Sequence, residues 1–168
     1  MRLRKGPVHR VGPTRFEVRL SASERDVVRS FAAQMRALLT AETAASDPAV
    51  ARLFPPALPD DDVLGNLEYE QQHGDELLLG KLEALDTLER TASATEVSDR
   101  ELTAWLGSIN SIRLVVGTKL GVTEESTDRD FADDEEAAGL FELYGYFTWL
   151  QGWVIEALGD PPERSPDG

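Results

Sequence analysis

The chain has no cysteine and only two histidines among its 168 residues. Disulfides, thiolate metal sites and a cysteine nucleophile are therefore excluded. The histidines, His9 and His73, stand far apart and lack metal-ligand spacing, so no metal is expected. No GxSxG, Walker, GxGxxG or HExxH pattern occurs, and no cofactor is implied. Long apolar runs are missing too. The best stretch, Leu143 to Leu158, is interrupted by Gly145, Gly152, Gln151 and Glu156, and it predicts no membrane span. The basic N-terminus has no apolar segment behind it, which argues against a secretory signal. A soluble, cytoplasmic protein is the expectation from these absences.

Positive charge is scarce. The net charge is −14, a poor match to a phosphate backbone, so nucleic acid is not an expected partner. The charge is unevenly placed. Residues 1–20 hold six Lys or Arg and one Glu, a balance of +5, which leaves −19 on the remainder. Such a basic end is expected to fold back on the acidic body or to meet an acidic partner. At 168 residues the chain is long enough for one domain with a real core and too short to expect two.

The most informative stretch is Ser98 to Val122. Ser98 and Glu101 have capping-box spacing, and Gly121 is a natural stop. Between them Leu102, Trp105, Leu106, Ile109, Ile112, Val116 and Leu120 recur at helical spacing. Leu114 sits on the opposite side, so the helix is apolar on most faces and reads as central. Arg113 falls inside the apolar stripe, with Asn110 at its edge. A buried guanidinium requires a partner. The commoner arrangement is a structural ion pair or a snorkelling side chain; the functional alternative is an anion or substrate site. The expectation is a mostly buried Arg113 paired with a carboxylate or with backbone carbonyls.

The rest of the chain reads around that helix. Val8 to Val11 and Phe16 to Leu20 flank the turn signal Gly12-Pro13-Thr14 and predict a short β-hairpin. Ser23, with Asp26 in the box position, predicts the start of a first helix whose stripe is Val27, Phe31, Met35, Leu38 and Leu39. Asp47-Pro48 opens a short helical turn to Leu53. Pro59 to Asp62 punctuates the start of another helix, Val63 to Arg90, with a break allowed at His73-Gly74. Thr91 to Val97 reads as a loop. Thr123 to Glu136 is an acidic connection. Counted from Asp128, its sixth position is Asp133 and its twelfth Gly139, so the calcium-loop pattern fails. The last helix runs from about Glu135 to Leu158 on a stripe of Leu140, Tyr144, Phe147, Val154 and Leu158, with Gln151 inside it. Tyr146, Trp149 and Trp153 point roughly the other way, and Gly145 and Gly152 would admit a partner helix. These aromatics are either covered by the hairpin or by the 63–90 helix, or they form a binding patch. The expected architecture is mainly α, a single-domain bundle of about five helices. The domain spans residues 1–160, with a β-hairpin over 1–20, helices over 23–158 and a disordered tail at 161–168. The expected core is Phe31, Met35, Leu82, Trp105, Ile109, Val116, Tyr144 and Phe147.

Three runs carry a resemblance: WLGSINSIRLVVGTKLGV (Trp105 to Val122), YFTWLQ (Tyr146 to Gln151) and DPAVARLFP (Asp47 to Pro55). With nearly the whole chain around them, they resemble an uncharacterised actinobacterial family of small, mostly helical proteins of unknown function, often encoded beside the ClpS adaptor of Clp proteolysis. The resemblance implies a link to regulated proteolysis and transfers no residue role. Two functional expectations result. The first is a non-catalytic helical interaction or regulatory protein, with a Clp-system component or a second copy as partner and Tyr146, Trp149 and Trp153 as its interface. The second is an enzyme or anion binder built on Asn110, Arg113 and Gln151, with an acid such as Glu142.

Overall fold

The computed structural model describes residues 6–54 and 63–160. The punctuation at Pro59 to Asp62 and the tail at 161–168 lie outside the described residues. The elements run in the order β1 (Val8–Gly12), β2 (Arg15–Val18), α1 (Ala22–Thr40), α2 (Pro48–Ala51), α3 (Val63–Thr91), β3 (Glu96–Ser98), α4 (Asp99–Leu120) and α5 (Glu135–Gly159). The fold is mainly helical, as the periodicities predict. Helix α4 lies between α3 and α5, α1 packs on α3 and α4, and the sheet closes against α5.

Helix α1 begins two residues earlier than expected. Ser21, not Ser23, is the N-cap: its hydroxyl accepts the Glu24 amide at 3.2 Å, and the Glu24 carboxylate accepts the Ser21 amide at 2.6 Å. Both serines have an acid three residues on, but glutamate is the residue of the reciprocal box and aspartate the shorter substitute. The buried face is Val28, Ala32, Met35 and Leu39; Val27, Phe31 and Leu38 lie at its edge, partly covered. The small Ala32 is inconspicuous in a hydrophobicity pattern, yet it is fully buried.

The expected hairpin is part of a three-stranded antiparallel sheet in the order β1-β2-β3. Glu96 and Val97, expected in a loop, pair with β2 together with the N-cap Ser98, so that Val97 lies opposite Phe16. Both are buried, and one apolar residue in a three-residue strand is too little alternation to recognise. Between β1 and β2 the register shifts at Arg10 and Gly12. Arg10 lies over the Phe16 ring at 4.6 Å and donates to the carbonyls of Pro13 and Leu158, at 2.6 and 3.4 Å. Arg15 pairs with Glu96 of β3. The basic end thus folds back on the body in part.

Arg25 is the main polar fastener of this region. Its guanidinium donates to four backbone carbonyls: Leu20 at 3.1 Å, Val18 at 3.0 Å, Ala92 at 2.8 Å and Ala94 at 2.7 Å. It ties the end of β2 and the start of α1 to the α3–β3 connection, all with acceptors the side-chain sequence does not reveal.

Helix α3 runs unbroken through His73 and Gly74. Its Leu85 and Leu88 are buried against α1 and α4, and Leu78 and Leu82 are partly covered. In α4 the Ser98–Glu101 capping box forms and Gly121 takes a left-handed conformation, φ +68°, where L side chains are strained. Trp105 is the largest fully buried side chain, and its indole N–H donates to the Thr91 hydroxyl at 2.7 Å. Of the expected core, Met35, Trp105, Ile109, Val116 and Phe147 are buried, while Phe31, Leu82 and Tyr144 lie at its edge. In α5 the buried line is Phe147, Leu150, Val154 and Ala157, so Leu140, Tyr144 and Leu158 flank it instead of leading it.

Candidate functional site

The structure brings Asn110, Arg113 and Gln151 together along the α4–α5 seam. Arg113 Nε donates to Thr148 Oγ1 at 2.9 Å, and Nη1 to Gln151 Oε1 at 2.6 Å. The Gln151 amide in turn donates to Asn110 Oδ1 at 3.3 Å. The guanidinium lies over the Tyr144 ring at 5.4 Å. Gly117 makes room for that ring: a Cβ there would stand 3.1 Å from Tyr144 Cε2.

This is not the buried ion pair that the stripe position of Arg113 predicts. Arg113 is half-buried, Asn110 is exposed, and the recorded partners are neutral side chains and a ring. The reason is geometric. Arg113 stands at the rim of the seam, where water still reaches the charge and amide and hydroxyl acceptors suffice. The acid Glu142 lies elsewhere, in a cleft of about 290 Å³ shared with Ser23, Glu24 and Tyr146 at the start of α1. None of four clefts among the described residues has Asn110, Arg113 or Gln151 in its wall.

The three expected interface aromatics do not share one open face. Tyr146 is half-buried, with its ring edge-on to Phe147 at 5.5 Å. Its hydroxyl is buried without a partner in hydrogen-bonding geometry, and burial, followed by the nearby Glu24 carboxylate, pushes the phenol above its ordinary value. Trp153 is half-buried against Gly6, where an added Cβ would overlap the indole. Trp149 is the exposed member, at 46 %. It lies 5.8 Å from the Tyr146 ring, and the missing Cβ positions of Gly145 and Gly152 meet no other atom within 4 Å. Cover for the other two comes from the segment leading into β1 and from the start of α1.

A second polar grouping, absent from the sequence reading, lies between α3 and α4. Lys81, Ser108 and Ser111 line a cleft of about 290 Å³. Lys81 Nζ stands 5.7 Å from the centre of the Phe54 ring, and burial holds its amine below the usual value. In sequence, Lys81 looks like an ordinary solvated helix residue. The available signal was Gly107-Ser108 and Ser111, small residues within the apolar face of α4. Among the described residues no group of His, Cys, Asp and Glu is arranged to hold a metal ion, and no helix is long and apolar enough to cross a membrane.

No curated protein and no solved structure matches the chain. One family model does, over residues 5–158, nearly the whole length, from before β1 to the last turn of α5. The chain therefore belongs to the family described as a domain of unknown function, DUF2017.

Proposed function

We propose that this chain is a non-catalytic helical interaction protein that docks a protein partner through the outer face of α5. The observation that carries the reading is Trp149, a large aromatic left 46 % exposed on α5, a helix that also exposes Ile155. Tryptophan is a favoured interface anchor because it buries much area at little conformational cost. The clear faces at Gly145 and Gly152 leave room for a partner backbone to approach beside it. A Clp-system component, the ClpS adaptor first, is the partner suggested by the gene neighbourhood of the resembling family, and a second copy of the chain is the other. An enzyme or anion binder at Asn110, Arg113 and Gln151 draws less support, because the guanidinium already has protein acceptors and lines none of the four clefts described.

The test uses the purified chain and its Trp149→Ala variant, with sedimentation velocity for self-association and calorimetric titration against ClpS. Association is expected in one of the two assays and should weaken by about tenfold or more in the variant, consistent with loss of an anchor. Circular dichroism should show the variant folded. Association that is absent from both assays, or indifferent to Trp149, would overturn the reading.

A further inference from the structure

Two clefts meet on the far side of α4 from Arg113. The first, about 440 Å³, is bounded by α1, α2 and α3 and lined by Leu39, Val50, Phe54, Leu77 and Leu78, with the exposed Glu42 among the remainder. The second is the α3–α4 cleft of about 290 Å³ that contains Lys81 and Ser108. Leu77 is a wall of both, and Lys81 Nζ over the Phe54 ring marks their junction.

Several features of this junction lack a structural explanation. Lys81 is half-buried, and no carboxylate pairs with it among the described residues, although the protein is strongly acidic. Exposed Glu76 lines the same cleft. Ser108 is 1 % exposed and its hydroxyl has no partner. Helical serines commonly satisfy themselves on the carbonyl four residues back, as Ser111 does on Gly107 at 3.1 Å. Gly80 of α3 and Gly107 of α4 also line this cleft, and a Cβ on either would meet no atom within 4 Å. Packing therefore does not require glycine at these positions; keeping them bare leaves the cleft open.

We propose that the joined clefts bind a small aliphatic carboxylate, its chain among Leu39, Val50, Phe54, Leu77 and Leu78 and its head group accepting hydrogen bonds from Lys81 Nζ and the Ser108 hydroxyl. The larger cleft, at about 440 Å³, falls in the range of small-molecule pockets, and the combination of a mostly apolar wall with few polar groups at one end is characteristic of them. Charge complementarity selects the sign of the head group. An anion beside Lys81 would supply a counter-charge, which favours the charged amine and opposes the burial that now holds it below its usual value. The site is separate from the outer face of α5, so it stands or falls independently of Trp149.

The experiment titrates the intact chain calorimetrically with octanoate, octanol and octylammonium, below the concentrations at which these aggregate. Octanoate is expected to bind best. Lys81→Met, which keeps an apolar stem and removes the charge, should weaken octanoate by about tenfold or more and leave octanol unchanged. Ser108→Ala should weaken octanoate less, and Trp149→Ala should leave it unaltered. Equal binding of octanoate and octanol, or octanoate binding that ignores Lys81→Met, would overturn the proposal. So would binding of a peptide with an apolar, free C-terminus when octanoate itself does not bind. Lys81→Met removes a desolvated charge, and thermal melting of this variant checks that it remains folded.

Discussion

Replacing Arg113 separates a structural strap from a buried charge site. The side chain makes two hydrogen bonds to neutral acceptors, at 2.9 and 2.6 Å, and one ring contact, and it remains half-buried. A hydrogen bond from a charged donor contributes about 1.5–3 kcal/mol when fully buried, and partial exposure puts these at or below the lower end. A cation over an exposed ring adds about 0.5–1 kcal/mol. Water recovers part of the loss for Thr148 and Gln151 once the arginine is gone. Arg113→Ala should therefore cost about 2 kcal/mol, short of the 3–5 kcal/mol expected for breaking a buried ion pair. Arg113→Met should cost about 1 kcal/mol, because the stem packing survives. Urea unfolding at unchanged m-value measures both. A double-mutant cycle with Gln151→Ala should give a coupling near 1 kcal/mol. A loss above about 4 kcal/mol for Arg113→Ala would reveal a buried acid partner and refute the strap. A loss near zero would show that the contacts are not made in solution.

Other outcomes follow from named contacts. Arg25→Ala deprives four carbonyls of one donor and should cost about 3 kcal/mol, while Arg25→Lys, which cannot span all four, should recover less than half in chemical denaturation. Tyr146→Phe should be within about 1 kcal/mol of the parent at neutral pH, since it removes a hydroxyl with no partner. The phenol is raised in the folded state, so its contribution is present below the unfolded value near 10 and is lost as pH climbs above it; the phenylalanine variant should lose less stability there, and matching alkaline titration curves would contradict the assignment. Gly80→Ala and Gly107→Ala should each raise stability by about 0.5–1 kcal/mol in thermal melts, because the new methyl meets open space and helix propensity alone decides.

Local rules carried much of the architecture. The capping box at Ser98, the left-handed stop at Gly121 and the spacing from Leu102 to Val116 depend on residues within a few positions of one another, and they define α4 from the chain alone. The same rules misplaced the start of α1 by two residues because two serines carry nearly the same signal and only side-chain reach separates them. Long-range partners were not legible. Strand β3 exists because Val97 meets Phe16 across about eighty residues of chain. Arg25 is a fastener because four backbone carbonyls from two distant segments converge on it, and carbonyls carry no sequence signature. The sequence placed Arg113 inside an apolar stripe; only packing of α4 against α5 decided that the stripe's edge is wet there and that a glutamine and a threonine meet the charge. The same packing divided the α5 aromatics, covering Tyr146 and Trp153 and leaving Trp149 exposed, because exposure depends on which neighbour arrives and periodicity gives only direction around a helix.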